Sequence, residues 1–149
     1  MAKKYPFKYK GIHHCKAVLL TCIDFRFWRE VVDFTETELQ IQDFDFPSLP
    51  GAAKAINESI NSDITSQCIS VPCDLHHAER IIMVNHADCG AYGGSVKFDG
   101  DIEAEQKFHE NELQKSKEKI LEKYPNKEVI LIYAKLVDEG DNVEFIIIS

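Results

Sequence analysis

Two short motifs hold the residues of this chain best suited to chemistry. Cys22-Ile23-Asp24-Phe25-Arg26 follows an apolar run at 17–21, and His86-Ala87-Asp88-Cys89-Gly90 follows another at 81–85. Together they offer two thiolates and one imidazole, a ligand set that suits zinc; three protein ligands leave a fourth position open, as in a catalytic site. Two thiolates and a neutral imidazole cancel the charge of a dication, so water there needs help to ionise near neutral pH. Asp24 can accept a hydrogen bond from that water, and Arg26, planar and always charged, can clamp Asp24 and keep it ionised. Alternation along an extended segment puts Cys22, Asp24 and Arg26 on one side. His86 and Cys89 stand three residues apart, a spacing that lets both reach one ion in the turn leaving a strand. Gly90, Ala91 and Tyr92, followed by Gly93 and Gly94, make a permissive loop. It is expected to line a substrate pocket and to bring backbone N–H groups to a small molecule.

These motifs need elements to position them. Short apolar runs at 15–21, 80–85, 129–135 and 143–148 read as strands, and the alternating stretch 39–44 as another. Helices are expected over 27–38, 52–58, 63–77 and 102–123, with Pro72 kinking or interrupting the third. The last helix has sparse apolar positions (Phe108, Leu113, Ile120, Leu121) and is expected to lie on the surface. Strands that alternate with helices and lack strict polar alternation predict an α/β fold, a mostly parallel sheet covered on both faces by helices. A short turn at 139–142 predicts an antiparallel C-terminal edge hairpin. Residues 1–14 read as an N-terminal arm and 15–149 as a single domain. Both cysteine motifs fall at strand carboxyl ends, where such sheets bind ligands.

The 149 residues carry a formal net charge of −8, which argues against nucleic acid or an anionic membrane surface as partners. No run is long enough to span a membrane, and no secretory signal is visible at the start. Five cysteines without a small-scaffold spacing predict reduced thiols and a cytoplasmic protein. Cys15, Cys68 and Cys73 read as core or helix-face residues. His13-His14 and His76-His77 read as solvated pairs, and Asp88 as capping its turn or facing water. His109 is too isolated to assign as a proton shuttle.

The order Cys22-x-Asp24-x-Arg26, then His86-x-x-Cys89-Gly90 about sixty residues later, resembles the β-class carbonic anhydrases, from about Lys16 to Gly94. The resemblance implies zinc held by Cys22, His86 and Cys89, and Asp24 with Arg26 as the catalytic dyad. It implies an α/β fold, a homodimer or higher homo-oligomer, and a lyase that reversibly hydrates carbon dioxide to bicarbonate through a zinc-bound hydroxide. This chain is a short, divergent member by that reading. Ser48-Leu49-Pro50-Gly51-Ala52-Ala53 stands where the family usually carries Arg-Asn-Ala-Gly, His13 replaces a glutamine, and Leu19 replaces the Trp of the bicarbonate-regulated subgroup.

Three other readings share the motifs. The same fold also hosts carbon disulfide and carbonyl sulfide hydrolases. A non-catalytic zinc-binding domain would have Asp24 closing the fourth position. A Cys22–Cys89 redox switch is disfavoured because there is no C-x-x-C and zinc would occupy both thiolates.

Overall fold

Ala17–Leu20 form β1, four apolar residues buried on both faces of a sheet. The computed structural model describes residues 1–60 and 63–149. In chain order β1 is followed by α1 (Trp28–Thr37), β2 (Phe44–Asp45), α2 (Ala53–Glu58), α3 (Ile64–Asp74) and β3 (Arg80–His86). Then come α4 (Ile102–Lys123), β4 (Glu128–Val137) and β5 (Asn142–Ile148). The sheet order is β2-β1-β3-β4-β5. The first three pairings are parallel and β4–β5 is antiparallel, the α/β architecture with an edge hairpin that the sequence predicts.

Strand pleating divides the core into two. Val18, Leu20, Ile81, Met83 and Leu131 face α2, α3 and α4. Ala17, Leu19, Ile82, Val84, Ile132 and Ala134 face the other way, where Phe27 and Val31 of the α1 region cover them. Near-continuous apolar strands follow from burial on both faces.

Three expectations are corrected. The strand over 39–44 is reduced to Phe44–Asp45. Leu39 and Ile41 instead donate their N–H groups back to carbonyls of α1, Gln40 takes φ +57°, and Ile41 enters the core. The alternation came from a chain wrapping around a helix end. The helix expected over 63–77 is shorter: α3 starts at the Asp63 cap, which accepts from Ser66 N–H, contains Pro72 and ends at Asp74, two residues beyond it. Helix α4 buries a full face, Glu105, His109, Leu113, Ser116 and Ile120, three of them polar. Residues 1–14 carry no helix or strand and are exposed. Among the described residues no helix is long and apolar enough to cross a membrane.

Candidate metal centre

β1 and β3 lie side by side, with Leu20 opposite Met83. From β1 the sheet grows toward β2, and from β3 toward β4. The gap between their carboxyl ends is therefore the topological switch point, where open α/β sheets bind ligands. Cys22 follows β1 by two residues; His86 ends β3, and Cys89 follows in the next turn.

The structure brings Cys22, His86 and Cys89 together, with one ligand atom from each within 4.8 Å of the others and all three buried. The two sulfurs are 3.8 Å apart. Two thiolates at about 2.3 Å from one tetrahedral zinc would be about 3.8 Å apart, so the pair already has the required separation. His86 Nδ1 donates to the Ala87 carbonyl at 2.7 Å, and this fixes the tautomer with a lone pair on Nε2. Nε2 is buried and has no hydrogen-bond partner, an arrangement that is costly unless an ion completes it. Phe27 stacks on the ring, centroids 4.3 Å apart, and holds its direction. By these three observations the donor set fits zinc.

Backbone N–H groups serve the sulfurs. Gly51 donates to Cys22 Sγ at 3.3 Å, while that of Ala91 faces Cys89. The hydrogen bond from Cys89 favours the Cys22 thiolate against its burial. The shared proton and burial hold the Cys89 thiol well above its ordinary range. A dication between the sulfurs would supply the charge that the second ionisation needs.

Asp24 lies beside this cluster and outside it, its Oδ2 3.8 Å from His86 Nε2. Arg26 holds it through the backbone N–H at 2.9 Å, Nε at 2.9 and 3.1 Å, and Nη2 at 2.6 Å. Arg26 thereby draws the Asp24 carboxyl down to about 2. The same guanidinium reaches across to the second motif, donating to Asp88 Oδ2 at 2.9 Å and to the Asp88 carbonyl at 3.0 Å. Asp88 also accepts from Ser95 N–H, and this bond and Arg26 hold its carboxyl below the usual range. Asp88 caps its turn as the sequence predicts, through Ser95 N–H, and is in addition Arg26's second anchor. Buried Glu105 of α4 supports the turn, accepting from Asp88 N–H and from Ser95 Oγ, both at 2.8 Å.

The loop at 90–92 is a single 3-10 turn. The N–H groups of Tyr92, Gly93 and Gly94 close onto carbonyls of Cys89 and Gly90, so they are not aimed at a substrate. Gly90 is exposed and Ala91 half-buried. Tyr92 is buried, and its hydroxyl accepts from Asn85 Nδ2. Asn85 also donates to His109 Nδ1 and accepts from Ala53 N–H, tying β3, α4 and α2 together behind the ligands. Sequence reasoning missed Gly51, Asn85, Asp88 and Glu105 because their partners are distant in the chain. Asn85 and Asp88 carried one usable signal, their place beside the ligands.

The chain matches the protein family described as "Putative carbonic anhydrase" over residues 12–146. It is 32% identical over 126 residues to an uncharacterized protein of Rickettsia bellii, covering 80% of this chain and 76% of that one. A protein of Rickettsia conorii, also uncharacterized, is 32% identical over 129 residues, covering 80% and 67%. The fold is similar to the crystal structure of β-carbonic anhydrase isoform I from Trichomonas vaginalis. That match has a TM-score of 0.61 at 14% identity and covers 96% of this chain and 87% of the other.

Proposed function

The chain belongs to the family described as "Putative carbonic anhydrase", and from that premise we propose that it is a zinc lyase that reversibly hydrates carbon dioxide to bicarbonate. The observation that carries the reading is a three-donor cluster flanked by a carboxylate that Arg26 keeps from joining it.

In this reading Cys22, His86 and Cys89 hold the metal. When bound, a zinc dication supplies the positive charge that makes water nucleophilic near neutral pH. Hydration forms one carbon–oxygen bond and releases one proton. Asp24, drawn down to about 2, stays ionised at neutral pH and is too weak a base to take that proton. Its role is to accept a hydrogen bond and orient the attacking water. Arg26 is a positioning residue, spanning both motifs through Asp24 and Asp88. The released proton passes to solvent, which reaches Arg26, 41% exposed.

The same proposal includes a homodimer. Ile23 and Phe25, on either side of Asp24, are 59% and 80% exposed, an apolar rim that a second copy would cover. Five free cysteines support a reducing compartment, the cytoplasm in this proposal.

The test is stopped-flow carbon dioxide hydration on protein of measured zinc content, across about pH 7 to 9. We expect one zinc in this site and turnover that rises with pH. Asp24→Asn should keep the zinc and lose about a hundredfold or more of turnover. Full zinc occupancy without carbon dioxide turnover would reject the reading. Activity on carbonyl sulfide or carbon disulfide would then indicate the hydrolase alternative. A cobalt-substituted protein with no exchangeable water would indicate closure by Asp24.

A further inference from the structure

At the opposite end of β1 a second group of ligand-type side chains comes together. One donor atom each from Cys15, Asp45 and His76 lie within 4.8 Å of one another. Cys15 precedes β1, Asp45 ends β2, and His76 follows α3. The group is seven residues up the chain from Cys22, roughly 20 Å away by strand rise, and shares no residue with the first site.

The three segments are fixed by backbone bonds that do not involve these side chains. Cys15 N–H donates to the His76 carbonyl at 3.0 Å, and Lys16 N–H to the Asp43 carbonyl at 3.0 Å. His76 Nδ1 donates to Asp45 Oδ2 at 2.6 Å, and Cys15 Sγ lies 3.2 Å from the Ala17 carbonyl. All three residues are half-buried, so solvent reaches the group. This corrects the expectation of a solvated His76 and adds chemistry to a cysteine expected to be inert.

We propose that Cys15, Asp45 and His76 form a second metal site, for a borderline-soft dication of the zinc type. One thiolate, one imidazole and one carboxylate are all zinc ligands, and a sulfur in the set selects against magnesium and calcium. Zinc–sulfur and zinc–nitrogen or –oxygen bonds of about 2.3 and 2.0 Å put tetrahedral ligands about 3.3–3.5 Å apart. The His76–Asp45 contact therefore opens slightly and the sulfur moves in. Binding releases the Cys15 thiol proton to solvent and moves the proton on His76 Nδ1, which now bonds Asp45, to Nε2. The bound ion clips the segment before β1 to β2 and to the loop entering β3.

The test is site-resolved alkylation of the full-length wild-type chain, with and without excess zinc, read by peptide mass spectrometry. Cys68 lies in neither group and serves as internal control. Zinc should slow labelling of Cys15 about tenfold, because a coordinated thiolate is withdrawn from attack, and leave Cys68 unchanged. His76→Gln should abolish the protection at Cys15. Equal labelling of Cys15 with and without zinc overturns the proposal. So does protection that persists in both His76→Gln and Asp45→Asn. Neither readout depends on what the Cys22 site holds.

Discussion

Arg26 donates to two carboxylates from motifs 62 residues apart, through a planar fork that lysine cannot reproduce. Arg26→Lys should therefore release both Asp24 and Asp88 while keeping the charge. The expected result is a turnover loss of about tenfold or more, with zinc content unchanged. Gly51 is the other demanding position. Its φ is +72°, and a Cβ there would stand 2.9 Å from Lys54 Cβ and 3.1 Å from Ala91 Cβ, displacing the N–H that serves Cys22. Gly51→Ala should cost about 1–3 kcal/mol in a denaturant titration and weaken metal retention in a chelator competition. The Asp24–Arg26 pair was legible because its members are two residues apart. Gly51 was legible only as part of the segment that departs from the family, since the sulfur its N–H serves is Cys22, 29 residues earlier.

Helix α4 shows what pattern reading finds and misses among elements. Its ends at Ile102 and Lys123 are the ones the sequence predicts, and the Asp101 side chain that caps the first turn, accepting from Ala104 N–H, is a finding of the structure. Its buried face was not legible, because Glu105, His109 and Ser116 are polar types that ordinarily signal solvent. They are tolerated because each has a local partner: Glu105 meets Asp88 N–H and Ser95, Ser116 donates to the Leu113 carbonyl, and His109 Nδ1 accepts from Asn85. Leu113, fully buried in the core beneath the sheet, is the apolar anchor of that face. Leu113→Ala should destabilise the protein by about 2–5 kcal/mol, measured by urea unfolding. The reverse error occurred at 39–44, where an alternating pattern read as a strand was the wrapping of Leu39 and Ile41 onto α1. Local periodicity identifies an element when its own ladder buries it; it misleads when a neighbour does.

For the whole molecule, buried His109 links stability to pH. Burial first, then the neighbouring His86, pushes its pKa down to about 4. Between about pH 4 and 6.5 the unfolded chain binds a proton there that the folded chain refuses. Stability from this group is complete above pH 6.5 and falls by about 3 kcal/mol as pH drops toward 4. His109→Gln, which keeps an acceptor for Asn85, should flatten the pH dependence of the melting temperature in that window. The parallel sheet and its carboxyl-end motifs were legible because alternating apolar runs and helices leave few topologies. Which strands adjoin was not legible, and adjacency of β1 and β3 is what makes two motifs one centre. That adjacency also bears on biosynthesis. Cys22 and Cys89 are separated by 67 residues, which a ribosome adds in about 3–13 s. Throughout that interval the first thiol has emerged without its partners. The nascent chain therefore carries Cys22 without its two partner donors until the second motif is translated.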